Sequence, residues 1–167
     1  NFSDLPQILS RNNIKGVHAI LLDLGFSLNQ LKNGNRGFSF SKNEPLDMRM
    51  DIRNDLTAFD MVNSYKADDL ADLFFKFGEE KFSRRIAKAI IRQRSITPIR
   101  TSLELASLVQ NAVPAKMVRT QRIHPATRVF QALRIAVNQE LERLEMFLDT
   151  VPDLLLSGGR LCVISFH

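Results

Sequence analysis

The wide separation of two strand-like apolar runs constrains the fold of this chain more than any other feature of its sequence. The first run, residues 17–22, is continuous and ends in Asp-Leu-Gly at 23–25, which is typical of a strand buried on both faces and followed by a turn. The second run, residues 160–166, follows a glycine pair at 158–159 that predicts a turn. Because single strands do not form a stable sheet, we expect both runs to belong to one parallel sheet, of which this sequence holds only part.

Helical patterns fill most of the chain between these runs. Apolar spacing predicts helices over 57–65, over 67–77 with a stop at Gly78, and over 79–94. The sequence Thr-Ser-Leu-Glu at 101–104 is a capping box that opens another helix. Pro125 suits the first turn of a long helix that reaches about residue 150. The sequence therefore predicts an α/β chain whose sheet is interrupted by a mostly helical insertion.

The basic residues are unevenly distributed. The chain carries a net charge of +5, and residues 81–134 hold twelve Lys and Arg against one acid, Glu104. Within this block Arg84, Lys88 and Arg92 recur every four residues and share one side of a predicted helix, with Arg85 beside them. Such a block is typical of a surface that binds a polyanion, and a solvated helix face is the alternative.

Several function classes lack their sequence signatures. The three histidines, His18, His124 and His167, show no metal-ligand spacing, so we expect no metal site. Phosphate-binding glycine loops and a nucleophile elbow are absent from the sequence, as is an apolar run long enough to span a membrane. The single cysteine, Cys162, is typical of a reducing compartment such as the cytoplasm. It lies in an apolar run, and we expect it to be buried and inert.

One candidate ligand contact follows from the strand prediction. Ligands of open α/β sheets bind at the carboxyl ends of the strands, where Asp23 and His167 are expected to lie. The Asp23 carboxylate would accept hydrogen bonds from amine or hydroxyl groups of a cofactor. Its alternative role is a turn-forming carboxylate that binds nearby backbone amides.

Three further segments have two interpretations each. The loop Arg-Gly-Phe-Ser-Phe at 36–40 either stacks a flipped-out base or anchors its phenylalanines in the core. The alternating segment 45–51 is either a short strand or a stretch whose Asp47, Arg49 and Asp51 line a site. The helix start at His124 either attracts an anion with help from Arg128 and Arg134, or has a capping histidine and surface arginines.

Six segments in order give a family resemblance that covers essentially the whole chain. They are Asp-Leu-Gly at 23–25 with Gln-Leu at 30–31, RGFSF at 36–40, PLDMRMD at 45–51, GEEKFSRRIAKAI at 78–90, HPATRVFQALRIAVN at 124–138 and GGRLCVISFH at 158–167. Together they resemble the MraW-type methyltransferases, which transfer a methyl group from S-adenosyl-L-methionine to the exocyclic N4 of a cytosine in small-subunit ribosomal RNA. The resemblance implies a Rossmann-like methyltransferase domain, formed partly by residues 1–27 and 140–167. Residues 28–139 would form a helical substrate-recognition domain.

The resemblance also assigns residues. It implies that Phe2, Asp23 and Gln30 contact the cofactor S-adenosyl-L-methionine, and it identifies no general base. Around Gln30 the sequence Phe-Ser-Leu-Asn-Gln at 26–30 departs from the family's Val-Ser-Ser-Pro-Gln. With the charge pattern, we expect contacts to the RNA of the small ribosomal subunit from a larger set, namely Arg36, Phe38, Arg49, Arg84, Arg85, Lys88, Arg92, Arg128 and Arg134.

The family's glycine-rich cofactor loop and its Ser-Leu-Glu-Asp-Arg stretch after the second strand are not in this sequence. We therefore expect the chain to be an incomplete piece of the enzyme, inactive alone and without a membrane partner. The alternatives are a non-enzymatic RNA-binding helical module and a truncated fragment without function.

Overall fold

The computed structural model describes residues 2–25 and 35–165 and has a mixed α/β fold. In these ranges a 3-10 turn at Phe2–Asp4 is followed by eight α-helices and two strands. The strands are β1 (Val17–Asp23) and β2 (Leu155–Ile164). The helices are α1 (Leu5–Arg11), α2 (Ala58–Ser64), α3 (Ala67–Gly78), α4 (Ser83–Arg94), α5 (Ser102–Ala112), α6 (Ala115–Thr120), α7 (Thr127–Asn138) and α8 (Glu140–Leu154). The chain divides into two compact units, one formed by Asn1–Phe26 and Gln139–His167, the other by Ser27–Asn138.

The first unit contains both strands. β1 and β2 pair in parallel, in register from Ala19 opposite Arg160 to Asp23 opposite Ile164, which confirms that the two distant runs share one sheet. The prediction that β1 is buried on both faces is wrong. Ile20 and Leu22 are buried against Phe147 of α8, whereas Leu21 is 69% exposed. Because strand side chains alternate between faces, this difference shows that α8 covers one face of β1 and that no described residue covers the other.

The second strand begins earlier than the sequence indicates. Gly158 and Gly159, predicted to form a turn, lie inside β2, and the pairing is irregular between Val17 and Ala19. Gly158 has φ of 78°, and a Cβ on Gly159 would lie 2.8 Å from the Leu156 carbonyl oxygen. The glycines therefore permit a bulge in the strand rather than a turn before it. Cys162, on the same strand, is exposed, so the prediction of a buried thiol is also wrong.

The second unit is helical around one apolar core. Buried side chains of α3, α4, α5 and α7 meet there, with Leu70, Phe74, Ile86, Leu105 and Leu133 among the most enclosed. The predicted capping box is present: the Thr101 hydroxyl accepts from the Glu104 backbone, and the Glu104 carboxylate accepts from the Thr101 backbone. Thr57 and Asp60 form a second box at α2. These caps fix where both helices begin.

Two predicted helix ends are wrong. The sequence predicted that α3 stops at Gly78. Gly78 is instead the last helical residue, and the residue after it, Glu79, has the left-handed backbone that ends the helix, with φ of 51°. The long helix expected from Pro125 to about residue 150 is two helices, α7 and α8. Gln139 between them also has φ of 51°, which an α-helix cannot include.

Candidate functional site

Asp23 lies at the carboxyl end of β1. Its side chain is exposed and makes no hydrogen bond or ion pair with any residue in the described ranges. The next residue is held in place, since the Leu24 backbone N–H donates to the Ile164 carbonyl at 2.9 Å. The carboxylate therefore does not serve as a turn-forming acceptor, and it is available to hydrogen-bond donors of a ligand at the strand edge.

Phe2 lies in the same unit as Asp23. Its ring packs edge-to-face on Phe147, with centroids 5.4 Å apart and an angle of 62° between the planes. It is half-buried and joins the apolar cluster of Ile20 and Leu22. The third residue of the expected cofactor set, Gln30, lies outside the described residues.

The loop that begins at Arg36 is fixed by internal contacts. The Arg36 guanidinium donates to the carbonyls of Arg49 and Met50, at 2.7 and 3.2 Å, and lies 5.4 Å from the centre of the Phe38 ring. Phe38 and Phe40 are half-buried against the core of the second unit. Of the two interpretations of this loop, these contacts favour anchoring for Phe40, while the Phe38 ring also has a cation beside it.

The segment 45–51 is not a strand. Its one sheet-like contact is an isolated bridge between Pro45 and Thr101. Leu46 and Met48 are buried, each 1% exposed, whereas the alternate residues Asp47 and Arg49 form an ion pair at 2.8 Å. Buried and polar side chains therefore alternate as they would in a strand, but the backbone of this segment is irregular.

Asp47 and Arg49 stabilise each other's charge. Partial burial tends to raise the pKa of Asp47, but the hydrogen bonds and charge of Arg49, with the charge of Arg36, hold that pKa below its usual value. The hydrogen bond to Asp47 raises the pKa of Arg49. Arg49 also donates to the carbonyls of Ile52 and Asn54, at 3.1 and 2.6 Å. This arginine therefore organises the loop as well as carrying a charge.

Asn138, at the end of α7, holds the same segment from the other side. Its side-chain amide donates to the Met48 carbonyl at 2.8 Å, and its carbonyl oxygen accepts from the Met50 backbone at 2.7 Å. Met48 has φ of 60°, which is rare for a residue with a side chain. The two bonds from a buried amide give this backbone its partners. Sequence reasoning did not identify Asn138, although it ends a segment that carries the family resemblance.

His124 and its two arginines lie at or on α7. The Nδ1 atom of His124 accepts from the Ala126 backbone at 3.1 Å, and its ring stacks on Phe40 with centroids 4.5 Å apart. The histidine therefore caps the helix start, which was one of the two interpretations. Arg128 and Arg134 are both half-buried on α7.

The basic stripe of α4 lines a groove of about 720 Å³ between α4 and α5. Arg84, Arg85, Lys88 and Arg92 are exposed and make no ion pair or side-chain hydrogen bond with residues of the described ranges. By contrast, Arg94 of the same helix donates to the Val62 carbonyl at 2.8 Å. The structure thus brings together the three cations that the sequence spacing selected and Arg85 beside them.

The opposite wall of the groove was missed from the sequence. It consists of Leu108, Asn111 and Ala112 of α5, which recur at three- and four-residue intervals. That spacing marks one side of α5, but only the packing of α5 on α4 shows which cations it faces. Within the described ranges, no three His, Cys, Asp or Glu side chains form a metal-binding cluster. No described helix combines the length and apolar character that a membrane span requires.

The fold and these surfaces describe an α/β protein with an open carboxylate at a parallel strand edge and a cationic groove on a helical unit. Compared with known proteins, residues 1–167 match the MraW methylase family, and the chain belongs to that family. It is 63% identical over 167 residues to the ribosomal RNA small subunit methyltransferase H of Desulforapulum autotrophicum. Proteins of the same name from Desulfosudis oleivorans and Thermosipho africanus are 54% and 52% identical.

The matches cover all of this chain but only part of each relative. The covered shares of those three proteins are 54%, 54% and 56%. The chain therefore spans about half the length of the curated relatives it matches.

Proposed function

We propose that this chain is part of an S-adenosyl-L-methionine-dependent methyltransferase that modifies the exocyclic N4 of a cytosine in small-subunit ribosomal RNA. The observation that carries the proposal is the family match over residues 1–167, with relatives named for methylation of that RNA. The open Asp23 carboxylate and the cationic groove agree with such an activity. A cytoplasmic location agrees with a ribosomal substrate.

Each of the two units is assigned a different proposed task. The strand-bearing unit would contribute to a Rossmann-like methyltransferase domain, since parallel strands with ligand contacts at their carboxyl ends are the basis of that fold. The helical unit, Ser27–Asn138, would recognise the substrate. The groove of this unit holds the cations Arg84, Arg85, Lys88 and Arg92 and is lined by no acidic residue, which favours a polyanionic substrate.

The chemistry of the three proposed cofactor contacts, Phe2, Asp23 and Gln30, matches S-adenosyl-L-methionine. Asp23 presents an exposed carboxylate with no other partner in the described ranges, and the amine and ribose hydroxyls of S-adenosyl-L-methionine are donors that it can bind. Phe2 offers an aromatic surface for the adenine, and Gln30 is the third proposed contact. When bound, the cofactor would supply a methyl group from its positively charged sulfur, which leaves as a neutral thioether, and the proton lost by the cytosine amino group would pass to solvent.

The chain's own contribution to the reaction is binding and orientation. A base within an RNA helix must leave its stack before its amino group can be methylated. The proposed RNA contacts hold phosphates and the displaced base, which removes much of the entropic cost of bringing the two reactants together. Arg36, Phe38 and Arg49 would act near the base, whereas Arg128 and Arg134 would add charge along α7.

Methyl transfer to isolated ribosomal subunits tests this function. The full-length product of the gene that encodes this chain is incubated with tritiated S-adenosyl-L-methionine and small subunits from a strain that lacks the gene. We expect tritium in the RNA, recovered as N4-methylcytidine after digestion, and none with large subunits. Tight RNA binding without methyl transfer would instead support the non-enzymatic RNA-binding module, which the cationic groove favours as the second candidate.

A further inference from the structure

The groove between α4 and α5 is lined by apolar and amide side chains as well as by cations that could bind a phosphate backbone. Its four cations all lie on α4, where Arg84, Lys88 and Arg92 are spaced at about 6 Å along the helix axis. This spacing resembles that of successive phosphates along one nucleic-acid strand. Asp and Glu are absent from the residues that line the groove.

The remaining lining residues are apolar or carry a neutral amide. Ala89, Leu108 and Ala112 are half-buried or buried and give the groove an apolar lining. Ile96, just after α4, is 78% exposed at the groove. A duplex backbone would gain little from such a surface, because its bases are stacked inside the helix. The face of an unpaired base, in contrast, packs well on apolar side chains.

Two side-chain amides complete the groove. Gln93 of α4 and Asn111 of α5 are exposed, and neither side chain makes a hydrogen bond within the described part of the chain. An amide offers both a donor and an acceptor, which the edge of a base can match. Cations, apolar lining residues and open amides together resemble a binding site for a nucleotide more than one for a bare phosphate or an acidic peptide.

We propose that the groove binds an unpaired nucleotide of the RNA substrate, with its flanking phosphates on the α4 cations. The inference rests on the proposed function for the identity of the substrate. Every residue that lines the groove belongs to the helical unit, and none is a proposed cofactor contact. By this assignment the groove selects RNA that has a single-stranded segment.

A binding experiment with two RNA probes tests the groove. The full-length gene product is titrated into a fluorescein-labelled ten-nucleotide single-stranded RNA and into the same strand in a duplex, and anisotropy is recorded. We expect tighter binding of the single strand. Ile96→Ser should weaken single-strand binding about three- to tenfold, since a contact to one base is lost, and should leave duplex binding unchanged. Ile52→Ser is the matched control, because Ile52 is a similarly exposed isoleucine, at 68%, in the same unit.

The charge contribution is separated by two triple variants. Changing Arg84, Lys88 and Arg92 to Ala should weaken single-strand binding and flatten its salt dependence, because fewer counterions are released. Changing the exposed Lys116, Arg119 and Arg122 to Ala removes the same charge outside the groove and should have a much smaller effect. Equal effects of the two triples, or an unchanged affinity in Ile96→Ser, would overturn the proposal. So would stronger competition by a polyglutamate peptide than by unlabelled RNA.

Methyl transfer measured in parallel separates this inference from the proposed function. If the wild-type protein methylates small subunits but the groove variants bind single-stranded RNA normally, only the groove assignment fails. If groove-dependent single-strand binding is present without methyl transfer, the assignment of the groove stands and the proposed function fails. Thermal unfolding of each variant, monitored by circular dichroism, establishes that these exposed substitutions leave the fold intact.

Discussion

Single polar side chains hold the irregular loop of the helical unit in its shape. Residues 45–51 have no regular hydrogen-bond pattern, and their backbone is satisfied largely from outside. Asn138 binds the backbone of Met48 and Met50, while Arg36 binds the carbonyls of Arg49 and Met50. The RNA contact proposed for Arg49 requires a preorganised backbone, and these contacts provide that order. Each of these contacts depends on one functional group, so a single substitution should show how much that contact contributes to stability.

Replacing Asn138 by Ala should destabilise the protein substantially. Two backbone groups, the partly buried Met50 N–H and the buried Met48 carbonyl, would lose their partner, at a cost of about 2–4 kcal/mol in the free energy of unfolding. The control is Asn43→Ala, which removes an exposed asparagine amide from the same unit. Urea titration of both variants measures the difference. A loss no larger for Asn138→Ala than for Asn43→Ala would show that the loop does not depend on this amide.

Asp23→Ala should weaken the binding of S-adenosyl-L-methionine. A lost hydrogen bond to a charged group costs about 1–3 kcal/mol, or roughly a five- to 150-fold increase in Kd. Because Asp23 is exposed and makes no other bond in the described ranges, its removal should leave stability nearly unchanged. Asp149→Ala, an exposed carboxylate on α8 of the same unit, is the control for net charge. Isothermal titration of the full-length gene product gives both affinities, and wild-type affinity in Asp23→Ala would remove this residue from the site.

Close approach between helices determines the packing of the second unit. At the end of α3, a Cβ on Gly78 would lie 2.4 Å from the Arg128 carbonyl oxygen and 3.2 Å from Ala132 on α7. Gly78 therefore lets these two helices touch. The sequence indicated a helix stop at this glycine, but the stop is made by Glu79, and the glycine is needed for contact.

Gly78→Ala distinguishes contact from helix propensity. Propensity alone would favour Ala within a helix by about 1 kcal/mol. Overpacking against the α7 backbone should outweigh that gain and leave a net loss of about 1–2 kcal/mol in the free energy of unfolding. Asp72→Ala, at an exposed position of α3, should be neutral or slightly stabilising. Thermal unfolding compares the two, and a Gly78→Ala variant more stable than wild type would contradict the observed packing.

Elements with a local chemical signal could be predicted from the sequence, whereas those set by tertiary contacts could not. The capping box at Thr101 and Glu104 fixes the start of α5 by itself, and the stripe of cations on α4 follows from four-residue spacing. The break at Gln139 has no glycine or proline to mark it. The early start of β2 depends on pairing with β1, and the groove depends on α5 packing beside α4. Local signals carry no information about such neighbours.

At the scale of the whole molecule, the two units have different compositions and different proposed tasks. The strand-bearing unit presents an open carboxylate at a sheet edge, and the helical unit presents an open cationic groove. The chain covers about half of each curated relative, so the proposed activity belongs to the full-length gene product rather than to these residues alone. The central claim is that this product methylates N4 of a cytosine in small-subunit ribosomal RNA.

Mass spectrometry of nucleosides from cellular ribosomal RNA tests that claim most directly. Small-subunit RNA is compared among the wild-type strain, a strain that lacks the gene, and the deletion strain that carries the intact gene or its Asp23→Ala variant. We expect an N4-methylated cytidine that disappears on deletion, returns with the intact gene and is reduced with Asp23→Ala. An unchanged amount of N4-methylated cytidine in the deletion strain would contradict the proposed function.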